Sequence, residues 1–411
     1  VKVLLCAIGT AGDVHPLLGL GLALQRRGHQ PTIVTNPYFA EVAARLGLPF
    51  LPLGTRADFE GALRDPDVWH PTRGFATIAA RVIAPGVAPL YRLIAAHDPA
   101  ETVLFASGLC FGARIAQEHL GFRLLTHYLA PTLLWSRRRP PVMNAALSSR
   151  WPRSIHWGVH RIGVQIADRA LAPAVNDLRR SLGLRPVRDV VYTWANSPDG
   201  IVGLFPDWYA PPQSDWPRNT CLTTFPLYDP ADADAGELTL DALGFREPPL
   251  VFTPGSGNFH ARRFFVAAIA ASQALGRPAL LLTRHRDHLP AALPAGIVHR
   301  DYIPLGQIAP RAAALIDHGG IGSVAQGLAA GVPQLIMPMS HDQPDNADRL
   351  RQLGVGAGLP PARFTGPRVA AALDRLLGDP VVGRRCRDLA ARCDPTTALD
   401  ATVARIEAVG R

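Results

Sequence analysis

The feature that most constrains the fold of this chain is a rhythm. Short runs of aliphatic and β-branched residues recur, each ending in a glycine or proline turn and followed by a stretch with apolar residues at helical spacing. "VKVLLCAIG", the loop "TAGDVHP", the periodic "HPLLGLGLALQRRGH" and the β-rich "QPTIVT" make a first strand, helix, strand unit. Such a unit implies a parallel sheet, since parallel neighbours need a crossover long enough to hold a helix. The pattern continues through "LPFLPL", "ETVLFASG", "CFGARIAQEHLG" and "RLLTHYLA", then lapses in a stretch rich in proline, aspartate and alanine. It restarts at "PPLVFTPGSGN" and runs through "PALLLTRH", "GIVHRDYIP", "AALIDHGGIGSVAQGLAAG" and "VPQLIMPM". The expectation is an α/β protein of two Rossmann-like, doubly wound parallel-sheet domains facing across a cleft. Residues 1–215 form the first domain, 216–240 a linker, 241–390 the second domain, and 391–411 a C-terminal helix returning towards the first.

Composition narrows the function classes. The 411 residues exceed what one core usually organises, and 48% hydrophobic against 18% charged residues is globular. No uninterrupted apolar run reaches the roughly 20 residues of a membrane span. The apolar start lacks a charged leader and an AxA-like cleavage site, so it reads as a strand rather than a signal peptide. Five scattered cysteines without metal or disulfide spacing point to a reducing, cytoplasmic compartment. The net charge of +9 suits an anionic small molecule or membrane surface. Nucleic acid is disfavoured because no zinc-finger or RNA-recognition pattern accompanies it. The sequence sets no oligomeric state.

Chemistry concentrates at the ends of the apolar runs. In "IDHGGIGSVAQG" a buried strand delivers His318 to a turn containing Gly319, Gly320 and Gly322 that enters a helix at Ser323. Unpaired backbone amides and the positive end of the helix dipole make such a turn an anion cradle, to which histidine and serine add directional donors. The bland alternative is an ordinary strand-to-helix turn. A second glycine turn, "FTPGSGN", places Ser256 and Gly257 after the first strand of the same half, where they can reach the same anion. "DAD" in "DPADADAGE" has the DxD spacing of metal sites but sits in the acidic connecting stretch, so no metal is assigned.

The block from "DYIPLGQIAP" to "SHDQ" resembles the sugar-donor signature of the inverting GT-B glycosyltransferases that use nucleotide sugars. The resemblance implies that Tyr302 and Ile303 pack on the base, His318 and Ser323 hold the diphosphate with Gly320 and Gly322, and Asp342 and Gln343 bind sugar hydroxyls. "IGTAGDVHPLLGLGLAL" and "LFPDWYAPPQSDWP" are most similar to the rhamnosyltransferases of rhamnolipid synthesis. In the family the first βα loop holds the base that deprotonates the acceptor hydroxyl. Asp13 of "GTAGDVHP" occupies that place, with Gly12 and His15 beside the acceptor; the alternative for Asp13 is a helix N-cap. Gln326 stands where many UDP-sugar enzymes have a ribose-binding glutamate, which fits a dTDP-linked donor. No cofactor is implied beyond the nucleotide sugar, because the helix dipole and polar side chains can meet the leaving-group charge. On the acceptor side, Trp135 and Arg137 in "YLAPTLLWSRRRPPVMN" suit a lipophilic hydroxyl acceptor with an acidic end, or a peripheral contact with the inner membrane face. The expected activity is transfer of a sugar, best dTDP-L-rhamnose, to a hydroxyalkanoyl lipid. A UDP-sugar enzyme acting on a natural product or sterol, a nucleotide-sugar epimerase and a non-catalytic carrier are the alternatives.

Overall fold

The computed structural model describes residues 1–143, 151–230, 238–255, 257–394 and 399–410. Two compact units account for the chain. The first comprises Val1–Pro141, Arg150–Tyr228 and Pro395–Arg411, and the second Val142–Ser149 and Asp229–Asp394.

In the first unit a seven-stranded sheet has the order β3-β2-β1-β4-β5-β6-β7, every neighbouring pair parallel. The strands are β1 Lys2–Cys6, β2 Gln30–Thr35, β3 Phe50–Pro52, β4 Thr102–Ser107, β5 Arg123–Tyr128, β6 Ile201–Gly203 and β7 Thr220–Leu222. The period-two alternation of a strand assigns its side chains to two cores. Leu4 and Cys6 of β1 enter one cluster, and Val3, Leu5 and Ala7 enter the other. Since β7 lies within 216–240, the first sheet continues past residue 215 into the stretch expected to be a linker. Its edge strand is only three residues long, too short for a periodic signal.

The Gly74–Ala95 helical run has a mean hydropathy of 1.4 and is long and apolar enough to cross a membrane by length and composition. No uninterrupted apolar run was expected, and Arg81 does interrupt this one. The run is nevertheless a core element. Ala79, Ile83, Val87, Leu90 and Ile94 form one stripe against the first cluster, at the four, four, three, four spacing of a helix face. On the other side of the sheet the Ala11–Arg26 helix buries Leu17, Leu18, Leu20 and Leu24. The Asp400–Gly410 helix adds Val403 and Ile406 to that layer.

The second unit is a six-stranded parallel sheet of order β10-β9-β8-β11-β12-β13. Its strands are β8 Leu250–Thr253, β9 Ala279–Leu282, β10 Ile297–Arg300, β11 Ala314–Asp317, β12 Gln334–Ile336 and β13 Gly356–Gly358. In both sheets the order reverses beside the first strand, between β1 and β4 and between β8 and β11. A ligand crevice is expected at the carboxyl ends of strands flanking such a switch point.

Candidate functional site

In the second unit, β8 and β11 pair in parallel with Thr253 opposite Asp317, so the turns that follow both strands emerge side by side. The imidazole of His318 fills the space between them. A Cβ added at Gly255, whose φ is +90°, would stand 2.6 Å from His318 Cε1, and one at Gly320 would stand 2.7 Å from His318 Nε2. Glycine is required at both places, and at Gly255 also by the backbone conformation. Burial, reinforced by His341, pushes the His318 imidazole down to about 4, so it is a neutral hydrogen-bonding group at neutral pH.

The helix that follows, Ile321–Ala330, starts from Gly320, which has no side chain with which to cap it. Its Ile321 amide donates to Asp342 Oδ2 at 3.3 Å, and the Val324 amide donates to the Gly320 carbonyl. The amides of Gly322 and Ser323 belong to the first turn, where no intrahelical acceptor exists. The positive end of the dipole of this ten-residue helix points at the same turn.

A third loop braces this turn. Asn346, fully buried, donates through Nδ2 to the Gly319 carbonyl and to Asp342 Oδ2, both at 2.8 Å. Burial raises the Asp342 carboxyl to about 6 against the opposing hydrogen bonds from Asn346 and Ile321. Gln343 is buried as well, and its Oε1 accepts from the backbone amides of Met339 and Ser340. Both members of the pair expected to bind sugar hydroxyls are therefore engaged in holding the loop. That corrects the simple reading of Gln343 in particular, whose side-chain oxygen is turned inward. Asp317, directly before His318, escaped the sequence reading. It is fully buried, accepts the Gly319 amide on Oδ1, and is raised to about 7 by burial against that hydrogen bond.

Towards β10, the Tyr302 ring is partly exposed and carries the Arg284 guanidinium 5.5 Å above its centroid. Its hydroxyl donates to Asp229 Oδ1 at 2.5 Å, and Asp229 Oδ2 accepts the Leu305 amide at 2.7 Å. Ile303 is a core residue, 8% exposed and part of the β8–β9 packing, so of the two expected base-packing residues only Tyr302 offers a face. Gln326 lies beside Gly306, where an added Cβ would meet its Oε1 at 3.3 Å. Gly257 stays on the β8 turn, while Ser256 lies outside the described residues, as does the "DAD" of Asp232 and Asp234. Among the described residues no group of three or more His, Cys, Asp or Glu side chains is placed to hold a metal ion.

In the first unit the turn after β1 differs from its expected form. The helix begins at Ala11 rather than His15, so Gly12, Asp13 and His15 lie in its opening turns and not on a loop. Thr10 is the N-cap in extended conformation, and Asp13 closes a capping box by accepting the Thr10 amide on Oδ2 at 2.8 Å. Asp13 thus occupies the third helical position rather than the cap itself. Gly9 makes room for it, because a Cβ there would sit 2.0 Å from Asp13 Oδ2. His15 is half-buried, its ring edge-on to Phe39 at 6.3 Å.

Trp135 stacks on His160 at 5.9 Å, and the Arg137 guanidinium lies over Trp135 at 5.5 Å and Trp157 at 5.9 Å. The loop bearing Arg137 is anchored by Asp215 of the "SDWP" motif, which accepts from Ser136 Oγ and the Arg137 amide, both at 2.7 Å. Burial works to raise the Asp215 carboxyl, but these hydrogen bonds outweigh it and hold it below the usual carboxylate range. Glu118 is committed to Arg179 at 2.6 and 2.9 Å.

Residues 3–135 match the glycosyltransferase family 28 N-terminal domain, and residues 279–403 the erythromycin biosynthesis protein CIII-like C-terminal domain. Glycosyltransferase GtfC of Amycolatopsis orientalis is 30% identical over 374 residues, covering 87% of this chain and 86% of its own. The O-mycaminosyltylonolide 6-deoxyallosyltransferase of Streptomyces fradiae is 27% identical over 410 residues, 95% of this chain and 93% of its own. A spinosyn rhamnosyltransferase solved with thymidine diphosphate superposes with a TM-score of 0.69 over 100% of both chains at 18% identity, which speaks for the fold. These relatives make the chain a homologue of macrolide and antibiotic glycosyltransferases, and they do not show the expected closeness to the rhamnolipid enzymes. The chain belongs to the GT-B glycosyltransferase family and is a nucleotide-sugar-dependent glycosyltransferase of the natural-product type.

Proposed function

We propose that this enzyme transfers a deoxysugar, best L-rhamnose, from a dTDP-linked donor to a hydroxyl of a lipophilic acceptor with inversion at the anomeric carbon. The observation that carries the proposal is the cradle in which the His318 imidazole packs between Gly255 and Gly320, beside the first-turn amides of the Ile321–Ala330 helix. A diphosphate laid there receives N–H donors whose strength grows as the glycosidic bond breaks and charge builds on the leaving oxygen. Tyr302 offers the base a partly exposed ring. Gln326 supplies an amide where a carboxylate would grip both hydroxyls of a ribose, which suits deoxyribose. The names of two relatives, a 6-deoxyallosyltransferase and a rhamnosyltransferase with thymidine diphosphate, support a deoxysugar on a thymidine nucleotide.

Asp13 takes the acceptor proton. A carboxylate is a weak base towards an alcohol, but it needs to act only as oxocarbenium charge develops, and its own charge stabilises that cation. The Thr10 amide holds it in one orientation. Trp135 and Arg137 supply an apolar surface and a cation for the acceptor. The tylonolide named for one relative favours a second reading on this side alone, a polyketide in place of a hydroxyalkanoyl lipid.

The test is calorimetric binding of dTDP and UDP, followed by a panel of dTDP- and UDP-sugars with lipid and polyketide acceptors. Tighter dTDP binding and acceptor-dependent dTDP release are expected. A clear UDP preference would end the deoxysugar reading. Turnover of the donor without acceptor, giving an epimerised sugar, would end the transferase reading for this site.

A further inference from the structure

Exposed bulky apolar side chains are scattered in most soluble proteins, but here they cluster. Of nine large hydrophobic residues exposed among those described, five are Trp151, Ile155, Val159, Ile162 and Ile166. Ile155, Val159, Ile162 and Ile166, spaced four, three and four residues apart at about 100° per residue, form one row along the start of the Arg153–Ser181 helix, and Trp151 lies just before its N-cap, Pro152. The helix already has a partner for its other side. His156, His160, Ala167, Leu171 and Val175 are buried at the complementary spacing, most of them in the first cluster. The outward row is therefore a second apolar face, with Ile162 60% exposed at its centre.

Its surroundings carry charge of one sign. Between Glu118 and Asp168 the sequence has no acidic residue and seven arginines. Arg137 and Arg161 both stack on Trp157 of this helix, at 5.9 and 5.3 Å, which ties the Arg137–Arg139 loop to the helix that bears the apolar row. Arg137 and Arg138 are exposed. Asp168, the first acid of the helix, directs its carboxylate to the Val191 amide at 3.2 Å. Asp215 meets the loop through Ser136 Oγ and the Arg137 amide, and the Arg161 side chain is exposed with those of Arg137 and Arg138.

We propose that this face docks on an anionic lipid bilayer, the apolar row entering the headgroup boundary and the arginines meeting lipid phosphates. An apolar helical face rimmed by cations, with a tryptophan at its end, has the chemistry that such surfaces select. A second copy of the chain is the poorer occupant. A two-fold contact would bring the arginine rims of both copies together, and like charges juxtaposed across an interface oppose association. A single row of side chains on one helix also falls well short of the roughly 800 Å² per partner of a standard interface. The inference does not depend on which sugar the enzyme uses; it shares Arg137 with the acceptor reading, so the variants that test it lie on the apolar row.

The experiment is co-sedimentation of the full chain with vesicles of phosphatidylcholine alone and of phosphatidylcholine mixed with phosphatidylglycerol, at low and high salt. The wild-type protein is expected in the pellet with the anionic vesicles only, and less of it as salt screens the arginines. Ile162→Glu combined with Ile166→Glu is expected to lower the apparent vesicle affinity by roughly tenfold or more. The same variant keeps its thermal midpoint and its dTDP binding, which shows that it is folded. Three results would each overturn the proposal: wild type left in the supernatant with both vesicles, equal binding to neutral and anionic vesicles, or a double variant that sediments like wild type. A fourth would assign the face to a second copy, namely a wild-type dimer by light scattering that the double variant converts to monomer without any vesicle binding.

Discussion

The turns after β1 and β11 share a topology and differ in polarity. Each leaves the first strand on one side of its sheet's switch point, passes through glycine and enters a helix. After β1 the helix N-terminus is closed from within, the Asp13 carboxylate accepting the Thr10 amide. After β11 the cap is a glycine without a side chain. A carboxylate reaches that helix end from Asp342 in the loop beyond β12, accepting the Ile321 amide and the Asn346 side-chain amide. One turn therefore presents an anion and the other presents N–H groups. Helix termini are attracted to anions by default. A capping box converts the same piece of backbone into a site that suits a proton or a developing cation.

The largest effect is expected where the cradle loses its side-chain donor. His318→Ala should weaken dTDP binding and turnover by about a hundredfold or more, read by calorimetry and by initial rates. Asp13→Asn keeps an oxygen for the Thr10 amide but loses the basic site. Its kcat should fall by roughly a hundredfold or more, with dTDP affinity unchanged. If Asp13→Asn instead weakened dTDP binding and spared kcat, the assigned polarities of the two turns would be wrong.

A paired glycine test sharpens the contrast at smaller amplitude. Gly255→Ala must move the His318 ring and also pays for a φ of +90°, so dTDP affinity should drop about tenfold. Gly9→Ala pushes on the Asp13 carboxylate and should lower kcat and cost about 1 kcal/mol of stability through the disturbed cap, leaving dTDP affinity intact.

Much of this contrast could be read in the sequence, and its limits have physical causes. The βα rhythm showed both sheets, because parallel strands flanked by helices are apolar on both faces and end at glycine. The glycine turn and helix entry after β11 were legible from "DHGGIGS", since glycine, histidine and serine there each have a local reason. The helix after β1 was misplaced by four residues: the expectation starts it at His15, although Thr10 and Asp13 hold the spacing of a capping box in which aspartate replaces the usual glutamate. What a face is covered by is not written in its period. Ala79, Ile83, Val87, Leu90 and Ile94 are spaced identically to Trp151, Ile155, Val159, Ile162 and Ile166, yet the first row is core and the second is exposed. The engagement of Gln343 and Asn346 was equally hidden, because it depends on which backbone groups the β12 loop brings within reach.

A difference in the pH dependence of stability tests why the turn after β11 tolerates a buried carboxyl at Asp317. An ionised group there would set a negative charge one residue from the imidazole and against the proposed diphosphate. Burial raises Asp317 to about 7 from an ordinary 3.8, and its Oδ2 has no hydrogen-bond partner among the described residues, both of which favour the neutral acid. A folded-state value above the unfolded one means that the folded protein holds a proton the unfolded chain releases. Stability is therefore full below about pH 4 and declines as pH rises towards 7. Asp317→Asn keeps a carbonyl for the Gly319 amide and cannot ionise. Its thermal midpoint should match wild type near pH 4 and exceed it increasingly up to about pH 7, by on the order of 2 kcal/mol. Asp342, which titrates in the same window, is present in both proteins and cancels from the difference. Parallel midpoint curves across that range would mean that Asp317 is ionised in the folded state, and the cradle would then have to bind its diphosphate against a fixed negative charge that the β1 turn, with its own exposed role for a carboxylate, was supposed to monopolise.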